Sequence, residues 1–146
     1  MKNIFCFAVL SVLVISLSAC GSSQAETSPA AVIEAGDAAW NSKDVEAILA
    51  LYADDAVEIN GRGTFYGEEE LRGLIEAMVG EFTIDCGNYF VADKEVTYDC
   101  LYVITDNGSL AGERYTAVIV DGKIKANIRT ERFDPPKEFK IDSTLP

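Results

Sequence analysis

The 146-residue chain contains no histidine. Histidine is the commonest general base near neutral pH and a frequent metal ligand, so Ser-His and Cys-His nucleophiles are excluded. Of the four cysteines, only Cys86 and Cys100 lie beyond the N-terminal segment, which is too few for a zinc cluster. We therefore expect no metal site and no cofactor, and any catalysis must use carboxylates, tyrosines or arginines.

Positive charge is also scarce. The chain has 12 lysines and arginines against 24 acidic residues, a formal net charge of −12. This balance argues against nucleic acid and anionic membrane surfaces as partners. It also disfavours a strongly anionic ligand, unless a local basic pocket overrides the field of the whole protein. The simplest interpretation of the acidic residues is a soluble, self-repelling surface.

The one long apolar run is Ile4 to Leu17, whose 14 residues are fewer than the roughly 17–25 that a membrane-spanning helix needs. It follows a short basic start and is typical of a secretory signal. Leu17-Ser18-Ala19-Cys20 resembles the lipobox of bacterial lipoproteins. That resemblance implies a signal peptide at 1–19, lipid on Cys20 and a tether at 20–28.

Lipidation would place the protein in the cell envelope, with the membrane as a partner through its acyl chains. Gly21, rather than aspartate, follows Cys20. The lipoprotein sorting pattern then implies the periplasmic face of the outer membrane if the host has one, and otherwise the outer face of the plasma membrane.

Apolar periodicity predicts three helices and then a sheet. Ser28 and Pro29 are typical of a helix start, Asp44 of a second N-cap, and Gly67 to Gly80 bounds a third helix. The second helix is expected to include Tyr52 and to end at Ala53-Asp54-Asp55. Alternating residues and turn signals then predict strands at 57–59, 82–91, 95–105, 110–120 and 123–132.

This order indicates an α+β domain at 29–134, with three N-terminal helices packed on a strongly curved, mainly antiparallel sheet. Residues 135–146 are interpreted as a tail. A long twisted sheet curls, so helices covering its concave side would leave a cone with a pocket at its wide end.

Cys86 and Cys100 are predicted to form a disulfide. A hairpin centred on Asp93 places them opposite each other, and an oxidising compartment would preserve the bond. A two-residue turn at Asp93-Lys94 would instead place Cys86 opposite Leu101, leaving two free thiols as the alternative.

The segment Ala38 to Val57, followed by Tyr66-Gly67-Glu68-Glu69-Glu70-Leu71, resembles the nuclear transport factor 2-like superfamily. It is closest to the SnoaL-like and ketosteroid-isomerase-like bacterial branches, over residues 30 to 133. The resemblance implies a cone-shaped fold. It leaves the function open, because that fold supports isomerases, cyclases, hydrolases, binding modules and assembly domains.

Aligned to the ketosteroid isomerases, the chain has Gly36 at the oxyanion tyrosine, and the oxyanion aspartate falls near Thr116. The general base falls on Asn60, or on Glu58 if an alignment gap lies early. These departures count against that chemistry. Glu58 is expected to be a solvated residue of a short edge strand, with Val57 and Ile59 facing the core.

Five residues are candidates for an aromatic ligand pocket, although an ordinary core explains them too: Trp40, Tyr52, Tyr66, Met78 and Tyr102. Three functions remain open. The favoured one is a non-catalytic binder of a small apolar or aromatic molecule at the cell envelope. The others are an isomerase- or cyclase-like enzyme using Glu58 or Asn60, and an interaction module that dimerises through its sheet. A homodimer is expected.

Overall fold

The computed structural model describes residues 27–136, which contain three helices and six strands. The expectations for the signal peptide, the lipidated Cys20, the tether up to residue 26 and the tail from residue 137 lie outside the described residues. Within residues 27–136, no helix is both long and apolar enough to span a membrane. In chain order the elements are α1 Pro29–Ser42, α2 Val45–Leu49, β1 Tyr52–Asn60, β2 Gly63–Tyr66, α3 Gly67–Met78, β3 Phe82–Ala92, β4 Glu95–Ile104, β5 Leu110–Val120 and β6 Lys123–Phe133.

The helix boundaries follow from local chemistry. The Ser28 hydroxyl accepts the Ala31 N–H at 3.2 Å, and the Asp44 carboxylate accepts the Ala47 N–H at 2.9 Å. Each bond satisfies a donor that the first turn of a helix leaves unpaired. Three glutamates occupy the first turn of α3, where the helix dipole favours negative charge. The predicted starts of all three helices are confirmed.

The six strands form one sheet in the order β2-β1-β6-β5-β4-β3. The pair β1–β6 is parallel and the other four pairs are antiparallel. The four long strands β3 to β6 lie where alternation predicted them, within one residue at each end. The predicted α+β fold class is confirmed.

The prediction was wrong in the segment before β2. Tyr52 and the Asp54-Asp55 pair belong to β1, whereas the sequence pattern predicts a helix that ends there in a turn. The helix α2 stops at Leu49, because the chain must extend there to pair with β6. β1 is also an internal strand, with β2 on one side and β6 on the other.

The core consists of two adjoining clusters of buried side chains. One joins α1 to the sheet and includes Ile33, Val96 and Ala117. The other joins the three helices to β1 and includes Ile48, Ala56 and Ile75. Trp40 and Tyr52 pack against both clusters. The helices therefore cover one face of the curved sheet, and the space they enclose lies beside these two aromatic residues.

The predicted Cys86–Cys100 disulfide is present. The β3–β4 turn has two residues, since Ala92 pairs with Glu95, and this register alone would place Cys86 opposite Leu101. A bulge between Gly87 and Phe90 adds one residue to β3 and shifts the register, so Cys86 lies opposite Cys100. The bulge includes Asn88, whose φ of 55° lies in a region that asparagine tolerates.

Candidate functional site

A cavity of about 80 Å³ lies between the helices and the concave face of the sheet. Such a volume holds several waters, but it is smaller than the roughly 150 Å³ site that accepts benzene in an engineered protein. Most of its wall is apolar. We call it the acid cavity, because two carboxyl groups, those of Asp37 and Glu58, belong to its lining. The other polar lining residues are Tyr52, Asn60, Tyr98, Tyr102, Tyr115 and Asn127.

Glu58 is the most buried of these acids, with 6% of its surface exposed. The Tyr52 hydroxyl donates to Glu58 Oε2 at 3.2 Å, and the Asn60 side chain donates to Oε1 at 3.4 Å. Burial raises the pKa of Glu58 to about 7, although hydrogen bonds with Asn127, Tyr52 and Asn60 oppose the shift. The carboxyl group therefore changes its charge near neutral pH.

The expectation that Glu58 is exposed is wrong. Side chains alternate along a strand, and in β1 the buried positions are Ala56 and Glu58, while Val57 and Ile59 are only half-buried. The pairing of β1 with both β2 and β6 also removes the edge position that would have given Glu58 access to water. The candidate base Asn60 lines the same cavity, two residues further along the strand.

Sequence reasoning missed Asp37 altogether. It lies on α1 and lines the acid cavity, where its carboxylate accepts the Cys86 N–H at 3.0 Å. Burial raises the pKa of Asp37 to about 7, the Cys86 hydrogen bond opposes the shift, and the nearby Asp85 and Glu34 add to it. A signal was available, because Asp37 is four residues after Ile33 and three before Trp40, on the apolar face of the helix.

Four tyrosines complete the polar lining. Tyr98 donates to Asn127 at 2.8 Å, and Tyr102 donates to the Tyr115 hydroxyl at 3.0 Å. Burial is the largest cause that raises the pKa of each of these phenols, and of Tyr52, above its usual value. They therefore remain neutral at physiological pH, so they serve as hydrogen-bond donors and not as bases.

Of the five predicted pocket residues, four line the acid cavity: Trp40, Tyr52, Met78 and Tyr102. Tyr66 does not, and 61% of its surface is exposed. It ends β2, the edge strand, and precedes the first turn of α3, so its side chain lies outside the space between helices and sheet.

The two oxyanion positions implied by the ketosteroid isomerase alignment offer no donor to the cavity. Gly36 lines it but has no side chain. The Thr116 hydroxyl lies 3.1 Å from that of Thr97, its neighbour on β4. A donor to a developing negative charge would therefore come from another lining group, such as a tyrosine, an asparagine or the protonated carboxyl group of Asp37.

A second, larger cavity of about 270 Å³ adjoins the first. We call it the arginine vestibule, after Arg62, Arg129 and Arg132 in its wall. Arg129 donates to Glu113 at 2.7 Å, and Glu113 also accepts the Tyr115 hydroxyl at 2.6 Å.

The two cavities share Asn60, Met78, Phe82, Tyr102 and Tyr115. Together their volumes reach the lower end of the roughly 300–1,000 Å³ typical of small-molecule sites. Among residues 27–136, no group of three or more cysteines and acids is arranged to hold a metal ion. The chemistry available in this joined space is proton transfer by carboxyl groups and hydrogen bonding by neutral phenols.

A helix-covered, curved sheet with a polar-lined pocket defines the class: this is a nuclear transport factor 2-like fold. The family model described as SnoaL-like domain matches residues 33–126, and the chain belongs to this family. The superfamily predicted from the sequence is therefore confirmed. A search of curated proteins gives no match.

Solved structures agree on the fold. A nuclear transport factor 2-like protein of unknown function from Cytophaga hutchinsonii is 14% identical, with a TM-score of 0.63 over 73% of this chain and 92% of that one. A protein with a ketosteroid isomerase-like fold from Catenulispora acidiphila, in complex with trimethylamine, is 17% identical, with a TM-score of 0.60 over 68% and 84%. The Δ5-3-ketosteroid isomerase of a Mycobacterium species is 21% identical, with a TM-score of 0.59 over 71% and 93%.

Proposed function

We propose that the protein is an acid–base enzyme that moves a proton within a small, mainly apolar carbonyl compound, with Glu58 as the proton carrier. The observation that carries this proposal is the Glu58 carboxyl group, which is 6% exposed and lines a cavity. A general base works best when its pKa lies near the operating pH, and burial brings the pKa of Glu58 to about 7.

The proposed step is an isomerisation without net oxidation. The substrate is a carbonyl compound whose carbon–carbon double bond lies one carbon away from the carbonyl group. The Glu58 carboxylate removes a proton from the carbon between the two, and the electron pair moves into a dienolate. The protonated Glu58 then returns the proton to a different carbon, which shifts the double bond. A neutral phenol such as Tyr102, whose hydroxyl donates to Tyr115 in the structure, would turn that hydrogen bond to the carbonyl oxygen, where negative charge develops.

A non-catalytic binder, the function favoured by sequence alone, is the second candidate. The mostly apolar lining and the departures at Gly36 and Thr116 support it. A non-catalytic binder, however, gains nothing from a carboxyl group that is buried without a cationic partner, because burying such a group costs folding free energy. A carboxyl group with a strongly raised pKa inside a cleft is more typical of a catalytic site.

The fold relatives support the same reaction class only in part. One structural neighbour is a Δ5-3-ketosteroid isomerase, and the existence of an isomerase with this fold supports the proposal. The acid cavity alone is far smaller than a steroid, so we propose a smaller substrate for this chain. Cell-envelope location through lipid on Cys20, and a homodimer, remain separate proposals.

The test uses 4-penten-2-one, a small open-chain unsaturated ketone that is narrower than a six-membered ring and whose double bond moves into conjugation when one proton is transferred. Wild-type protein is expected to accelerate conversion to 3-penten-2-one, followed by ultraviolet absorbance. Glu58→Gln is expected to lose about 100-fold or more of that rate, the usual contribution of a general base. Glu95→Gln, an exposed position on β4, is the matched control and should retain the wild-type rate.

If wild-type protein binds the ketone but Glu58→Gln converts it as fast, the proton-carrier role of Glu58 is wrong. If the ketone binds and no conversion occurs with either protein, the non-catalytic binder becomes the better description.

A further inference from the structure

Cations are concentrated in the arginine vestibule. Three of the five arginines in the chain, Arg62, Arg129 and Arg132, line it. Two acids, Glu81 and Glu113, share that wall. The vestibule therefore carries an excess of one formal positive charge, in a chain whose formal net charge is −12. A local reversal of sign against so acidic a background favours an anionic group at this place.

The arginines also have spare donors. Arg129 donates to Glu113 at 2.7 Å, and the Arg132 Nε atom lies 3.6 Å from the same Glu113 oxygen. Within residues 27–136, Arg62 has no carboxylate within the 4.0 Å of an ion pair. Each guanidinium carries five N–H donors, so a single shared carboxylate leaves most of them available to a ligand.

The backbone holds these groups at the mouth of the acid cavity. Arg62 lies in the β1–β2 turn, where its N–H donates to the Asn60 side chain at 2.9 Å, and Asn60 lines both cavities. Arg129 lies on β6, and its guanidinium lies against Gly61, so that a methyl group added there would overlap it. Phe82 and Tyr102 continue the wall inward.

We propose that the arginine vestibule binds the carboxylate of a small organic acid whose apolar part enters the acid cavity. This inference rests on the proposed function, because it names the substrate class of the same site. Arginine suits the role, since its planar guanidinium pairs with carboxylates through two parallel hydrogen bonds. The apolar wall beyond Phe82 and Tyr102 then receives the rest of the molecule.

The buried acids do not oppose such a ligand in mildly acidic solution. Burial raises the pKa of Glu58 and of Asp37 to about 7, so below that pH both carboxyl groups are mostly uncharged. The negative end of the ligand is also separated from them by the depth of the cavity, since neither Glu58 nor Asp37 lines the vestibule.

The experiment compares butanoate, whose short alkyl chain suits a cavity of about 80 Å³, with its uncharged amide, butanamide, by titration calorimetry at pH 6 and low salt. The full-length protein is expected to bind the acid about tenfold more tightly than the amide, as charge-assisted hydrogen bonds allow. In Arg62→Gln with Arg129→Gln the preference is expected to fall to about twofold or less. Arg62 is exposed, so Arg62→Gln alone provides a partial test if the double variant does not fold.

Two glycines offer a matched pair that changes no charge. Gly61→Ala places a methyl group against the Arg129 guanidinium and is expected to reduce the preference for the acid several-fold. Gly73→Ala on α3 meets nothing within 4 Å and should leave that preference unchanged. Glu113→Gln removes the competing carboxylate and is expected to strengthen binding of the acid.

Equal affinity for the acid and the amide would overturn the proposal, as would failure of the acid to bind at millimolar concentration. A preference that survives loss of both Arg62 and Arg129 would overturn it as well. These outcomes are distinct from failure of the proposed function: a protein that prefers the acid but shows no Glu58-dependent proton transfer fails only the latter.

Discussion

The acid cavity and the arginine vestibule adjoin each other, but they give acidic side chains opposite environments. In the cavity, Glu58 and Asp37 are withdrawn from water with no basic residue in the lining, and the pKa of each rises to about 7. In the vestibule, Glu113 is paired with Arg129 and accepts a hydrogen bond from Tyr115. The same residue type is therefore held as a titrating group in one region and as an ion-pair partner in the other.

The contrast shows that charge compensation is a matter of position in the fold. Arg129 and Arg132 lie in the C-terminal half of β6 and line the vestibule. Asn127, two residues before Arg129 on the same strand, contacts the carboxyl group of Glu58 instead. The amide of Asn127 supplies a hydrogen bond without a full charge. It therefore orients Glu58 while the pKa of that carboxyl group stays at about 7. A cation at the same place would hold the carboxyl group ionised.

The largest expected effect is a loss of stability as pH rises. Because the pKa of Glu58 is about 7 in the folded protein and near 4.5 when unfolded, unfolding releases a proton between those values. The stabilisation that protonated Glu58 gives the folded protein is fully present below pH 4.5 and is lost as the pH rises through 7. For Glu58 alone this loss is about 3 kcal/mol. Asp37 acts in the same direction.

Urea unfolding followed by the fluorescence of Trp40, the single tryptophan, should show this fall between pH 5 and pH 8. Glu58→Gln should flatten the pH dependence, with the remainder due to Asp37, and Glu95→Gln should not change it. A stability that rises over the same pH interval would contradict the assignment of both buried acids.

A somewhat smaller effect is expected from the disulfide, which closes one wall of the acid cavity and none of the vestibule. Replacing Cys86 and Cys100 with serine should lower the free energy of unfolding by about 3 kcal/mol, the loop-closure value for a 15-residue loop. Wild-type protein after reduction should behave like the double variant in urea unfolding. Equal stability of oxidised and reduced protein would show that the bond contributes nothing.

The smallest effect concerns a single hydroxyl inside the acid cavity. Tyr52→Phe removes the hydrogen bond to Glu58 and should cost about 1 kcal/mol in urea unfolding. It should also raise the pKa of Glu58 further, because that bond favours the charged form. Tyr66→Phe, the same change at an exposed position outside both cavities, should stay within about 0.5 kcal/mol of wild type. Equal costs at the two positions would contradict the role assigned to Tyr52.

The strands from Phe82 to Phe133 were predictable because their signals are local. Alternation of apolar residues and short turns such as Asp121-Gly122 fix each hairpin without reference to the rest of the chain. β1 was predicted poorly for the opposite reason. Its pairing with β6 joins residues about 70 positions apart, and that non-local contact overrides the helical tendency around Tyr52.

The disulfide could be predicted from the sequence only in part. Its cysteines were predicted to face each other, but the two-residue turn by itself gives the other register. The bulge at Gly87 to Phe90 decides the pairing, and the sequence carries only a weak signal for it, in Gly87-Asn88. The register of a long hairpin depends on such irregularities as much as on its turn.

By itself the sequence determined the order of the helices and most strands, the superfamily, the lack of histidine chemistry and the four pocket residues that do line the cavity. Those properties depend on periodicity and on residue type, both of which can be read from short stretches of the sequence. Only the tertiary structure decided that Glu58 and Asp37 face one cavity, that their pKa values rise to about 7, and that the arginines gather at its mouth. The physical reason is that desolvation and charge neighbourhood are set by helices and strands distant in sequence, and no short window of residues contains them.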